Sequence, residues 1–275
     1  MFPFKLSLNT STLIPYKLGI EEQIRVAAEA GYEGIEIWVR DLEAYAAGGG
    51  KIGGLRSSAE SCGIQIVNAI AFWAWSDEDA AERARGFELA RRELELLAEL
   101  GCPAAAAPPF GRVENVPLEQ MAGHFAELAE LARGFGVEPL LEFWGRAGRL
   151  SRLGEAVYVA IESGVADAKL LLDPFHMYTG GSSIEALSYV NGERIGIVHV
   201  NDYPASPPRE TIADRDRVFP GEGIFPSGRF AKLLHEAGYS GYLSLELFIQ
   251  DFHGSSALDV ARRGIESVRS AYTVT

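Results

Sequence analysis

Cysteine is almost absent. Only Cys62 and Cys102 occur in 275 residues, with no partner spacing, which excludes a disulfide framework or a zinc knuckle and predicts two reduced, mostly buried thiols. Positive charge is also scarce: 25 Lys and Arg stand against 38 Asp and Glu, and the formal charge of -13 repels nucleic acid and anionic membrane surfaces. No apolar run reaches the ~20 residues of a membrane helix, and residues 1–8 lack the charged start and long apolar stretch of a signal peptide. A cytoplasmic enzyme or binding protein is therefore expected. Residues 5–12 contain no Gly, so no Gly-x-Gly-x-x-Gly follows the first strand and a dinucleotide crevice has no support. Low-complexity segments, fixed repeats and an interdomain linker are likewise missing.

What the sequence does contain is an alternation of short apolar runs with longer helical patterns. Strands are predicted at residues 5–8, 34–38, 64–69, 104–107, 139–143, 169–173, 195–200 and 242–247. Most are Leu-rich or β-branched without alternation, as for strands covered on both faces. Helices are predicted over residues 21–30, 77–100, 118–135, 151–163, 227–237 and 256–272, with Asp77 and Ser151 as N-caps and Gly31, Gly101, Gly136, Gly164 and Gly238 as C-terminal glycines. Eight β/α units over this length predict one α/β domain, residues 1–275, folded as a single (β/α)8 TIM barrel, with an open doubly wound sheet as the alternative. The irregular, proline-containing segment 203–226 after strand seven is a candidate lid over the barrel mouth.

In such a barrel the active site gathers at the C-terminal strand ends. The last four strands end in Glu142, Asp173, His199 and Glu246, separated by 31, 26 and 47 residues. Neighbouring strands lie about 4.8 Å apart, so these heads can converge. Three carboxylates packed together repel one another unless a positive charge joins them. Three oxygen donors and one imidazole, without cysteine, suit one catalytic divalent cation: Mn, Mg, Co or Zn. Singly, each residue also has a structural explanation: Asp173 as a cap, Glu142 paired with Arg146, Glu246 in a local ion pair, His199 as a core histidine. Four successive strands ending in ligand-type residues favour the metal site.

The chain resembles the sugar phosphate isomerase/epimerase group of the xylose-isomerase-like TIM barrel superfamily over essentially its whole length. The resemblance rests on Ala27-Ala28-Glu29-Ala30-Gly31-Tyr32-Glu33-Gly34-Ile35-Glu36, on Leu172-Asp173-Pro174-Phe175-His176, on His199-Val200-Asn201-Asp202, and on Arg217-Val218-Phe219-Pro220-Gly221-Glu222-Gly223. It implies that Glu142, Asp173, His199 and Glu246 are the metal quartet and that His176 and Arg217 contact substrate oxygens. The chain departs from the ketose 3-epimerase branch. Of the Asn, Arg and Glu that follow the first metal Glu there, only Arg146 remains, with Gly145 and Gly148 at the other two positions.

The expected activity is isomerisation or epimerisation of a sugar or keto-polyol through a metal-stabilised enediolate, with Glu142 and Glu246 as acid and base. Elimination of water from a keto-sugar or inosose on the same site is the alternative, and a non-catalytic sugar-binding barrel a third reading. Trp38, Phe72, Trp73, Phe143 and Trp144, near strand ends, are expected to wall the sugar, and Asp202 to orient His199 from behind the metal. Asn9 and Glu36 are weaker polar candidates. The expected partner is a small sugar or polyol, neither nucleic acid nor membrane, with self-association into a homo-oligomer left open. Arg146, Arg149, Arg215 and Arg217 are the cations available for a phosphate, should they converge.

Overall fold

The computed structural model describes residues 1–274. The strands β1 (Lys5–Asn9), β2 (Gly34–Trp38), β3 (Gln65–Ile70), β4 (Ala104–Ala107), β5 (Glu138–Glu142), β6 (Lys169–Leu172), β7 (Ile195–Val200) and β8 (Tyr242–Leu245) pair in parallel, and β8 returns to β1 to close the ring. Closure fixes which residues face the lumen. In β2, Gly34, Glu36 and Trp38 share one face while Ile35 and Ile37 share the other. All five are buried, because helices cover the outside and side chains fill the inside, so the strand shows no polar-apolar alternation.

The lumen is packed by a small cluster including Ala104, Ala106, Leu140, Leu171 and Ile197, capped by Trp38 and Ile70. The larger core lies between the strands and the helices. These are α1 (Ile20–Ala30), α2 (Val39–Ala47), α3 (Ile52–Ser61), α4 (Ala80–Leu100), α5 (Leu118–Gly134), α6 (Leu153–Glu162), α7 (Pro174–Gly180), α8 (Ser227–Glu236) and α9 (Ala257–Ala271). Gly264 of α9 lets that helix approach β8 closely: a Cβ there would lie 2.5 Å from the Tyr32 hydroxyl and closer still to Leu245. The last helix thus packs onto the start of the barrel, and the Tyr32 hydroxyl donates to the Ala261 carbonyl at 3.0 Å.

The helix ends correct two expectations. Asp79, not Asp77, caps α4, accepting from the amides of Ala81 and Glu82, while Asp77 accepts from the amides of Asp79 and Arg112. Ser151 caps nothing; its amide donates to Glu155, and α6 starts at Leu153. Helices α2, α3 and α7 are additional. The first follows β2 with no turn residue between, and the second carries Gly53 and Gly54, which mask its helical period. Cys102 is buried, its thiol pushed up to about 12 by desolvation, whereas Cys62 is exposed, contrary to the expectation for both thiols. Among the described residues no helix is long and apolar enough to cross a membrane.

Candidate metal centre and active site

Each quartet residue leaves its strand at the C-terminal rim. Asp173 follows β6 and caps α7: its Oδ1 accepts from the Phe175 amide at 2.7 Å and from Asn201 Nδ2 at 3.1 Å, while Oδ2 accepts from Arg217 Nη1 at 2.8 Å. The capping role and the site role therefore coexist in one carboxylate. Glu246 follows β8; Oε1 accepts from Asn9 Nδ2 at 3.0 Å, and Oε2 lies 3.2 Å from His199 Nδ1. One ligand atom each from Asp173, His199 and Glu246 lies within 4.8 Å of the others, all three residues being buried. Glu142, at the end of β5, lines the same cavity outside that group, its Oε1 3.9 Å from His176 Nε2.

The His199 ring shows why a cation fits this donor set. Nε2 lies 3.2 Å from Glu36 Oε2, and that carboxylate is buried in the lumen and also accepts from Asn68 Nδ2 at 2.7 Å. With Nε2–H donated to Glu36, Nδ1 carries a lone pair. It has no hydrogen-bond partner although it faces carboxylate oxygens of Glu246 at 3.2 Å and Asp173 at 3.9 Å. At 3.2 Å, Nδ1 and Glu246 Oε2 require a proton or a metal ion between them, whereas Asp173 Oδ2 and Glu246 Oε2 already share Arg217 Nη1, 2.8 Å from each. With protein groups alone, burial disfavours the imidazolium, yet Glu246 and Glu36 outweigh it and hold the His199 pKa well above 6.5.

Glu142 and Asp173 respond in opposite directions to the charges around them. Burial, reinforced by Glu246 and Asp173, pushes the Glu142 carboxyl up to about 8 against the opposing pull of His199. Burial also opposes ionisation of Asp173, but Arg217, His176 and His199 hold it far below the usual carboxylate range. Burial depresses His176, which favours its neutral form. Arg217 is fully buried, with Nη1 2.8 Å from both Asp173 Oδ2 and Glu246 Oε2, Nε 3.1 Å from Asp214 Oδ1, and its guanidinium 4.5 Å from the Phe175 ring centroid.

The segment 203–226 delivers Arg217 to the centre, and Asp202 fastens that segment. Asp202 accepts from the amides of Tyr203 at 2.8 Å, Phe225 at 2.9 Å and Gly221 at 3.0 Å, binding both ends of the loop to the end of β7. The expectation that Asp202 orients His199 is thus corrected: Glu36, distant in sequence, holds the ring. Arg146 reaches the same segment, its Nη2 donating to the carbonyls of Arg209 and Ile212.

Trp38 and Trp144 line the cavity, joined by Phe72, Phe110 and Phe248. Trp73 does not: it is fully buried outside the lumen, with Nε1 donating to Glu93 of α4 at 2.6 Å, so its expected place in the sugar wall is corrected. The adjacent Phe72 takes the inward position, while Phe143 is buried in the core between strands and helices and does not line the cavity. Sequence reasoning ranked Glu36 and Asn9 low and did not single out Asn68, Asp214, Phe110 or Phe248. A Glu flanked by isoleucines, Ile35-Glu36-Ile37, was the one available signal, since an acid inside a buried strand needs a partner.

The profile of xylose isomerase-like TIM barrels matches residues 24–271. An inosose isomerase of Bacillus velezensis is 27% identical over 98% of both chains, and one of Halalkalibacterium halodurans is 31% identical over 60% of both. A 3-dehydroshikimate dehydratase of Pseudomonas aeruginosa is 28% identical over 90% of this chain, which spans 39% of that protein. Among solved structures, the IolI protein with a bound zinc atom superposes with a TM-score of 0.89 over 98% of each chain at 22% identity. With its closed barrel of eight parallel strands and a profile match over most of its length, the chain belongs to the xylose isomerase-like TIM barrel family.

Proposed function

We propose that the protein is a divalent-metal-dependent isomerase or epimerase of a keto-sugar or keto-polyol. The observation that carries this reading is the convergence of ligand atoms of Asp173, His199 and Glu246 beneath a cavity that His199, Glu246 and, from another strand, Glu142 line. Support also comes from the inosose isomerases among the relatives and from the zinc atom in the IolI structure. Asp173, His199 and Glu246 would hold the cation, with Glu142 as the fourth ligand. When bound there it supplies a Lewis acid to the carbonyl and neighbouring hydroxyl oxygens of the substrate.

The side chains supply the rest. Glu142 and Glu246 reach the cavity from β5 and β8, different sides of the ring, so one can take the proton from the carbon beside the carbonyl while the other returns it. The electron pair left on carbon passes to the carbonyl oxygen, and the guanidinium of Arg217, held beside Asp173 and Glu246, would supply positive charge near that oxygen. Neutral His176 offers a hydrogen bond to a substrate hydroxyl. Trp38 covers an apolar face of the ring and, with Trp144 at the mouth, excludes water.

The test is deuterium uptake from D2O into an inosose by the Mn2+-loaded protein. Glu246→Gln is expected to fold and to lose about 10²–10⁴-fold of the exchange rate; undiminished exchange would overturn the assignment. A second reading is favoured by the 3-dehydroshikimate dehydratases among the relatives. In it the same proton abstraction is followed by departure of a β-hydroxyl as water. Product mass separates the two: unchanged for isomerisation, lower by one water for elimination. Polyol binding without any exchange would instead mark a binding barrel.

A further inference from the structure

The cavity above the carboxylates has two unlike halves. Its polar half, with Glu142, His176, His199, Arg217 and Glu246, comes from β5 to β8 and the loops after them. Facing it, Trp38, Ile70, Phe72 and Phe110 come from the ends of β2 and β3 and the loops after β3 and β4, and Trp144 joins them from the loop after β5. The rings touch in series: Trp38 to Phe72 with centroids 5.2 Å apart, Phe72 to Phe110 at 5.6 Å, Phe72 to Trp144 at 6.0 Å and Phe110 to Trp144 at 6.4 Å. Phe72, Phe110 and Trp144 therefore form a triangle of aromatic rings beside the mouth. Phe110 is 41% exposed although it is a large apolar residue.

A bare polyol is a poor occupant for that half. The indole N–H of Trp38 already donates to Asn9 Oδ1 at 3.2 Å, and the charged group on this side, Glu114, stands exposed at the rim. Hydroxyls pressed against the aromatic triangle would leave water without recovering a partner. A phosphate is equally ill served. Arg217 is committed to Asp173, Asp214 and Glu246, Arg146 to backbone carbonyls of the lid, and Arg149 to the Glu114 carbonyl; Arg215 is exposed and does not line the cavity. The cavity volume of about 680 Å³ falls among pockets that take drug-sized ligands, roughly 300–1,000 Å³, and exceeds what one sugar ring fills.

We infer that the substrate is a keto-sugar or keto-cyclitol bearing a flat apolar substituent, of the aryl glycoside type, with its polyol ring over the carboxylates and its substituent lying against the open side of the Phe72, Phe110 and Trp144 cluster. This rests on the proposed function, which seats the carbonyl at the metal centre. The aromatic triangle supplies stacking and edge contacts to a planar group. Strands β5 to β8 then set the chemistry, and the rim of β2 to β4 selects the substituent.

Two unreactive probes test the inference, phenyl β-D-glucopyranoside and methyl β-D-glucopyranoside, titrated calorimetrically into the Mn2+-loaded protein. The phenyl compound is expected to bind at least about tenfold more tightly, and Phe110→Ala to cut that ratio about fivefold or more. Phe110 is half out in solvent, so the variant keeps its thermal midpoint. Equal affinities, no binding of the phenyl probe up to about 10 mM, or a ratio unmoved by both Phe110→Ala and Phe72→Ala would overturn the inference. Deuterium exchange into an unsubstituted inosose reports on the reaction separately. Exchange without a phenyl preference sinks the substituent site alone, whereas a Phe110-dependent preference without exchange into any keto compound supports that site and sinks the reaction.

Discussion

Glu36 acts on the candidate centre through His199, whose Nε2 it holds at 3.2 Å while Nδ1 faces Asp173 and Glu246. A carboxylate behind a ligating imidazole fixes its tautomer and raises its basicity, and losing such a partner costs about 10–100-fold in metal affinity. Glu36→Gln should weaken Mn2+ binding by that factor in a chelator competition titration, with the fold intact because Gln still accepts from His199 and Asn68. A second buried acid sits well away from the centre. Burial pushes the Glu93 carboxyl up to about 7, against the Trp73 N–H that donates to it. The fold therefore favours its protonated form, and the stability that form contributes is full below about 4.5 and lost as pH rises through about 7. Glu93→Gln keeps the Trp73 bond and removes the titration, so its thermal midpoint should exceed that of the unaltered protein at pH 8 and match it near pH 4.5.

At the scale of elements, the segment 203–226 is a strap rather than a free lid. Its ends meet at one carboxylate, Asp202, which accepts three backbone amides, and Gly223 fits against that carboxylate where a Cβ would collide with Oδ1 and with the Tyr203 carbonyl. Asp202→Ala would leave buried amides unpaired at about 1–3 kcal/mol for each such group. The variant should melt several degrees lower and be cut by trypsin within the strap, after Arg209 or Arg215. Arg217, assigned to the developing charge, rides on this strap, so turnover should fall more than substrate affinity. Cleavage unchanged from the parent protein would show that other contacts hold the strap.

For the molecule as a whole, the proposed cation would be coupled to the barrel. Asp173, His199 and Glu246 lie on β6, β7 and β8 or directly after them, so an ion held by all three ties adjacent strands at the rim. Binding that favours the folded chain stabilises it by about 2.7 kcal/mol at a hundredfold excess over the dissociation constant, which for a chain of this size is a rise on the order of 5–10 °C. Mn2+ should produce that rise in the metal-stripped protein, EDTA should reverse it, and Asp173→Asn should abolish most of it. A midpoint indifferent to metal would remove the cation from the site.

The place of Glu142, Asp173, His199 and Glu246 at the rim was legible in the sequence because strand ends are one-dimensional features: an apolar run stops and a polar residue follows. The barrel itself was legible for a related reason, since eight apolar runs alternating with helical periods leave few ways to bury both faces of every strand. Which side of a strand a residue faces was not legible where both sides are apolar. Gly34–Trp38 is buried throughout, so only ring closure turned Glu36 inward toward His199. Likewise, only the path of the chain beyond β3 separated Phe72, in the cavity, from Trp73, behind it. Sequence proximity suggested Asp202 as the partner of His199, but partnership across a barrel is set by which lumen-facing side chains share a level. The sequence by itself therefore determined the fold class and the residue types at the rim. The tertiary structure alone decided their partners, because closing the sheet brings together groups as distant as Asn9 and Glu246.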